Sequence, residues 1–148
     1  MTDICVRDYR EADRPAVMAL APRLTAGVAP WRDPAAVRLA VLGWVEAAID
    51  HTLLVAVRGD LVVGLVSVAE RRHFAGELDA YVGELVVDAG HEGQGVGSLL
   101  MRAAEDWGRR RGLGRLVLET GAANRRARAF YDRLGYVEED VRLSKPLV

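Results

Sequence analysis

The sequence predicts an α/β (α+β) fold: a mixed, mostly antiparallel central sheet of six to seven strands flanked by about four helices. Three observations point there. Two helix starts of the cap-then-proline kind occur near the N-terminus. A hairpin with a two-residue turn follows, and a strand, a glycine loop, a helix and a further strand succeed one another in the middle of the chain. Hairpins make antiparallel pairs, whereas a strand–helix–strand crossover adds a parallel one. The element order is β-α-α-β-β-β-α-β-α-β, with a last strand open.

"ICVRDY" (Ile4–Tyr9) reads as the first strand. Asp13 before Pro15 suits an N-cap, with Val17, Leu20, Ala21 and Leu24 at helical spacing behind it. After the loop "GVAPWRDP", Asp33-Pro34 opens a second helix by the same logic, its apolar face being Val37, Ala40, Val41, Trp44 and Ala48. "TLLVAVRGDLVVGLVSVAE" is a hairpin turning at Gly59-Asp60. A polar connection, "ERRHFAGELD", leads to the strand "AYVGELVVD" (Ala80–Asp88), and the glycine loop follows directly. The next helix starts near Val96 with Leu99, Leu100, Ala103 and Trp107 apolar. "RLVLET" is a fifth strand. The helix "AANRRARAFYDRLG" sets Ala127, Phe130, Tyr131 and Leu134 on one face, with Gly135 as C-cap. "YVEEDVRLSKPL" supplies one or two final strands.

Bulk properties narrow the function classes. A chain of 148 residues has the size of one domain, residues 1–148, and 51% hydrophobic with 28% charged residues is a globular composition. A net charge of −1 argues against a general nucleic-acid binder. No apolar run reaches the ~20 residues of a membrane span, and the N-terminus has no apolar signal core. Cys5 is alone, so no intrachain disulfide forms, and its strand position suggests a buried, inert thiol. The expected location is the cytoplasm.

"GHEGQGVGSLL" (Gly90–Leu100) carries the chemistry. A strand, a glycine loop and a helix in that order make an anion site from main chain alone: the helix's first N–H groups have no partner, and its dipole is positive there. Glu92 is odd in such a loop, and the expectation is that its carboxylate turns to water. No Gly-Lys-Ser/Thr ending is present, which removes the nucleotide-triphosphate loop. Gly93-x-Gly95-x-x-Ser98 nearly spells the dinucleotide fingerprint, with Glu119 closing the next strand. Serine stands for the third glycine, however, and too little chain remains for a doubly wound sheet.

The stretch "ELVVDAGHEGQGVGSLLMRAAEDWGRRRG" resembles the acetyl-CoA signature of the GNAT acyltransferase superfamily. Its Gln/Arg-x-x-Gly-x-Gly/Ala core falls on Glu92-Gly93-Gln94-Gly95-Val96-Gly97, matching the glycines and departing at Glu92. "ANRRARAFYDRLGYVEED" is similar to the family's Asn-x-x-Ala-x-x-Phe-Tyr-x-x-x-Gly-Phe segment at Asn124, Ala127, Phe130, Tyr131 and Gly135, with Tyr136 as the aromatic. "VRDYREADRPAVMAL" looks like the family's opening strand and helix, so the resemblance spans nearly the whole chain.

The resemblance implies transfer of an acetyl group from acetyl-CoA to a primary amine by direct attack, with no metal. The backbone of Leu85, Val86 and Val87 would pair with the pantetheine arm. The N–H groups of Glu92, Gly93, Gln94, Gly95, Val96, Gly97 and Ser98 would take the pyrophosphate, with Arg125 or Arg126 either helping or remaining surface charge. Tyr131 matches the general acid at the departing thiolate, and Asn124 either caps its helix or contacts the cofactor arm. An alkylamine has a pKa of roughly 10.4 and needs a base. Glu84 is the foremost candidate, directly or through water, ahead of Asp79, His73 and Glu77. An N–H near Val86 could polarise the thioester carbonyl. The acceptor is open among small amines, amino acids, antibiotics and protein amines, as are acyl length and a homodimer. A non-catalytic acetyl-CoA sensor of the same fold is the alternative, and a dinucleotide module the more distant one.

Overall fold

Alternation along the strands decides how this chain divides its core. The computed structural model describes residues 3–148; Met1 and Thr2, at the start of the expected domain, lie outside the described residues. Strands β1 (Ile4–Asp8), β2 (Thr52–Arg58), β3 (Leu61–Arg72), β4 (Leu78–Val87) and β5 (Leu116–Leu118) form one sheet in that order. The first four run antiparallel and β5 lies parallel to β4. In β2, Leu53, Val55 and Val57 point to one face while Leu54 and Ala56 point to the other. Both faces are therefore apolar and both are covered. Helices α1 (Arg14–Leu20) and α2 (Pro34–Ile49) pack on the first, α3 (Val96–Arg110) and α4 (Arg125–Arg133) on the second.

Several local expectations hold. Asp33 caps α2 by accepting from the Ala35 N–H at 3.1 Å. Gly59-Asp60 makes the two-residue turn, with Arg58 opposite Leu61 and Gly59 at φ 61°. Gly135, at φ 92°, follows the end of α4.

Four expectations are corrected. Asp13 does not cap α1 with its side chain. It is buried, receives Arg7 through both guanidinium nitrogens at 2.7 and 2.9 Å, and accepts from the Arg10 N–H at 2.8 Å. On α2 the buried stripe is Val41, Val45 and Ala48, and Trp44 is 42% exposed. Apolar residues surround this helix, so two stripes fit its periodicity, and the i, i+4, i+7 one packs on the sheet. The final strand or strands do not form: residues after Tyr136 lack regular structure, and Val137, Val141 and Leu143 are exposed. Among the described residues the sheet thus has five strands, not six or seven. The three-residue β5 offers only a short edge, and Glu138-Glu139-Asp140 interrupts the apolar pattern that a strand would need. Cys5 is exposed rather than buried, because β1 is an edge strand whose outward positions meet water.

The Asp13 carboxyl is held below its ordinary range, chiefly by the Arg7 hydrogen bonds, against the opposing effect of burial. Asp13→Ala should lower the urea-derived stability by about 1.5–3 kcal/mol at pH 7, the range for buried bonds to charged groups. A depressed folded-state pKa stabilises above the unfolded value of ~3.9. The gap between wild type and variant should therefore be full at pH 7 and close as pH falls through the lower folded value.

Candidate functional site

β5 is paired with β4 only from Ala80 to Val82, against Leu116 to Leu118. Beyond Val82, β4 runs on through Val87 with β3 on one side and, among the described residues, no strand on the other. An unpaired edge inside a covered sheet presents ladder N–H and C=O groups to whatever enters the gap. Leu85, Val86 and Val87 all lie on it.

A β-bulge sits at the start of this open edge. Val66 pairs with Leu85 and Val68 with Val82, so Gly83 and Glu84 together face the single residue Ser67. The extra residue turns β4 over. Before it, Val82 packs on the α3 side; after it, Val86 packs on the α1–α2 side. Glu84 is carried to the α1–α2 side with Val86. There it enters a cleft of about 220 Å³ with Trp44 of α2, His51 just past it, Ser67 of β3 and Tyr81 and Gly83 of β4. Burial raises the Glu84 carboxyl above its ordinary range, and the Ser67 hydroxyl, at 2.6 Å, offsets part of that rise. Asp79 is buried, and five residues at ~3.3 Å each put it roughly 16 Å away along the strand. His73 and Glu77 flank the β3–β4 turn, joined by the His73 N–H to the Glu77 carbonyl at 2.8 Å. Of the four candidate bases, only Glu84 lines the cleft.

The glycine loop closes the other end of the open edge. Gly93 and Gly95 have φ 74° and 82°, the left-handed region that other residues resist. Gly95 is also the N-cap of α3, and no side chain caps that helix. Its first-turn N–H groups, those of Val96, Gly97 and Ser98, are left for an external acceptor. A Cβ placed on Gly93 or Gly95 would meet nothing within 4 Å, so the cradle is open. This uncapped, open N-terminus fits an anion such as a pyrophosphate. Gly97 has a different reason to be glycine: a Cβ there would lie 3.1 Å from Phe130 Cζ, where α4 packs on α3.

Glu92 does not turn to water. Its carboxylate is gripped by Arg23 and by Arg126, the latter at 2.9 Å, and its side chain is 30% exposed. Arg23 also donates through Nε to the Val87 carbonyl at 2.7 Å, which ties the loop to the end of β4. Arg126 makes this contact from a side chain that is itself 79% exposed, and Arg125 is exposed as well. Gln94 accepts from Arg58 at 2.7 Å and anchors the loop to the β2–β3 hairpin. Three arginines thus converge on a loop that carries none of its own.

On the α3–α4 side, Tyr131 packs between Phe130 and Tyr136, at ring separations of 5.1 and 5.8 Å. Burial pushes its hydroxyl up to about 12. Asn124 caps α4, accepting from the Ala127 N–H at 3.2 Å. The sequence reading missed Ser67, Trp44 as a cleft wall, and Arg23. The lone hydroxyl in the apolar run "LVVGLVSVA" was the available signal for Ser67; Arg23 had none, because its contact spans 69 residues of sequence.

A model of the acetyltransferase (GNAT) family matches residues 16–136. Over 82 residues, 55% of this chain and 55% of the relative, the chain is 34% identical to N-alpha-acetyltransferase 30 of Schizosaccharomyces pombe. Over 53 residues, 36% of this chain and 28% of the relative, it is 43% identical to streptothricin acetyltransferase of Streptomyces lavendulae. The chain thus spans about half or less of these curated relatives. A putative acetyl transferase from Pyrococcus furiosus shares the fold at TM-score 0.81 and 21% identity, covering 98% of this chain and 100% of that one. An aminoglycoside N-acetyltransferase in complex with CoA does so at TM-score 0.76 and 17% identity, covering 100% and 97%.

The Glu92 grip should be measurable without any ligand. Partly exposed ion pairs contribute up to about 1 kcal/mol. Glu92→Arg, which sets three guanidiniums together, should lower the thermal midpoint by about 2–4 °C at low salt. The deficit should shrink in 1 M salt, where charges are screened. A midpoint equal to wild type at low salt would return Glu92 to the solvent.

Proposed function

Because the chain belongs to the acetyltransferase (GNAT) family, we propose that residues 1–148 form one N-acetyltransferase domain that moves an acetyl group from acetyl-CoA to a primary amine. One observation carries the reading: the open edge of β4 runs from a half-buried carboxylate, Glu84, to an uncapped helix N-terminus at Gly95. Acetyl-CoA, when bound, supplies the thioester carbonyl and the thiolate leaving group. The backbone of Leu85–Val87 holds the pantetheine arm as an added strand would. The loop N–H groups from Glu92 to Ser98 hold the pyrophosphate, with Arg126 close enough to add charge. Asn124 caps α4 and contacts the cofactor arm in this reading. No metal has a role in this reading, and the domain works in the cytoplasm.

The acceptor enters through the cleft beside Trp44 and Tyr81. An ammonium gives one proton to Glu84, and the neutral amine attacks the acyl carbon. The C–N bond forms, the C–S bond breaks, and the amine's second proton balances the thiol product. A carboxylate whose pKa is raised is a stronger base than an ordinary one. Tyr131 stays protonated at any working pH. Full transfer from a hydroxyl near 12 to a thiolate with a pKa of ~8.5 is uphill by roughly 5 kcal/mol. Its role is therefore a hydrogen bond that strengthens as charge develops on sulfur, not proton delivery. With Glu84 the one carboxylate in a small, largely apolar cleft, a monoamine suits it better than a polycation.

Thermal shift with acetyl-CoA, CoA and NAD in parallel tests the donor. Acetyl-CoA at 100 times its Kd should add about 2.7 kcal/mol of stability, and NAD none. A shift with NAD alone would overturn the reading. A shift with acetyl-CoA and no turnover across a broad amine panel would make the protein a sensor.

Two substitutions test the chemistry once an acceptor is found. Tyr131→Phe should leave acetyl-CoA affinity unchanged and lower kcat by roughly 10²–10³-fold, the loss for one hydrogen-bond donor to a developing charge. Glu84→Gln should be most defective near neutral pH and recover as pH rises toward the amine's own pKa. In the wild type, kcat/KM should climb with pH through the raised Glu84 pKa, above the ordinary carboxylate range, because the active form is the deprotonated one.

A further inference from the structure

We propose that Ser67 is a positioning residue for Glu84, its one hydroxyl fixing both the backbone and the carboxylate of the residue that receives the acceptor's proton. The proposal rests on the reading of Glu84 as the base. Ser67 Oγ accepts from the Glu84 N–H at 2.8 Å and donates to Glu84 Oε2 at 2.6 Å. A hydroxyl has one proton to give, and here it goes to the carboxylate. The two bonds close a ring on a single residue, so the χ angles of Glu84 are tied to its own main chain.

The bulge explains why a serine is needed. Two residues of β4 face one of β3, so the ladder at this point has one N–H too many. A buried N–H without a partner is costly, and the Ser67 side chain supplies the acceptor that the strand cannot. Ser67 itself is 6% exposed inside an apolar run, where an unpaired hydroxyl would also be costly. The fit leaves no slack: a Cβ on Gly83 would stand 2.9 Å from Ser67 Oγ. With Oε2 engaged, Oε1 is the oxygen that this bond leaves available for the amine proton.

The hydroxyl favours the ionised carboxylate against burial, which favours the neutral one. The other titratable groups lining the cleft are His51, just past α2, and Tyr81, on β4 itself; the neighbouring cleft residues of β3 carry no charge. Losing the Ser67 proton should therefore move Glu84 further from the ordinary carboxylate range.

The test is a ¹³C carboxyl titration of the full chain by NMR, with the Glu84 signal assigned by its loss in Glu84→Gln. Ser67→Ala should raise the Glu84 pKa above its wild-type value. Ser67→Thr, which keeps the hydroxyl, should restore it. Gly83→Ala, which keeps the serine but crowds its oxygen, should shift it in the same direction as Ser67→Ala and serves if Ser67→Ala does not fold. In turnover, Ser67→Ala should lower kcat more than it raises the KM for the amine, with acetyl-CoA affinity unchanged. A Glu84 pKa that stays at the wild-type value in folded Ser67→Ala or Gly83→Ala overturns the proposal. Failure of the underlying reading looks different: Glu84→Gln would then turn over amines as wild type does, whatever the titration shows.

Discussion

One extra residue in β4 organises this molecule. Without the bulge at Gly83–Glu84, strict alternation would leave Glu84 on the face of Val82, among the α3 side chains. The bulge reverses the strand there, so Val86 completes the α1–α2 core and Glu84 opens into a cleft on the same side. It also falls where β5 stops pairing. A bulge increases local twist, and a more twisted strand is harder for a parallel neighbour to follow. The same local irregularity thus sets the direction of the carboxylate and marks the start of the unpaired edge.

Electrostatics at the far end of that edge answer to a different rule. A loop meant for an anion gains from nearby cations, and an acid in it looks like a fault. Glu92 is instead the anchor for cations that the loop lacks: Arg23 from the 3₁₀ segment Ala21–Gly27 and Arg126 from α4. The net charge of the cluster is positive, and its position is fixed by a carboxylate rather than by chance. Arg23 reaches further, to the carbonyl that ends β4, so the glycine loop and the open edge are tied to each other.

Features that depend on local chemistry were legible in the sequence. Asp33-Pro34, the Gly59-Asp60 turn, the left-handed glycines before α3 and the apolar face of α4 all follow from backbone preference or short-range periodicity. Features decided by side-chain contacts between elements were not. Asp13 has an N-cap's sequence context, yet Arg7 across the chain turn claims its carboxylate. The stripe of α2 was ambiguous because nearly every position is apolar, and only the sheet surface chooses Val45 over Trp44. The tail "YVEEDVRLSKPL" reads as one or two strands, but a strand exists only where an edge can receive it. The glycine motif located the left-handed turn before α3, while the loop's partners, drawn from residue 23 and residue 126, could not be read from the loop itself.

The two groups placed at the proposed chemistry share one physical cause. Glu84 and Tyr131 lie on opposite faces of the sheet, and burial moves both toward their neutral forms. For the carboxyl this brings the pKa nearer to working pH, which is what a base acting on an ammonium requires. For the phenol it moves the pKa away, which keeps the hydroxyl a donor and prevents it from competing for the proton that Glu84 takes. The surroundings that disfavour charge also strengthen a hydrogen bond made to a developing one. Burial on either face of the sheet can therefore make one group more basic and the other a durable donor.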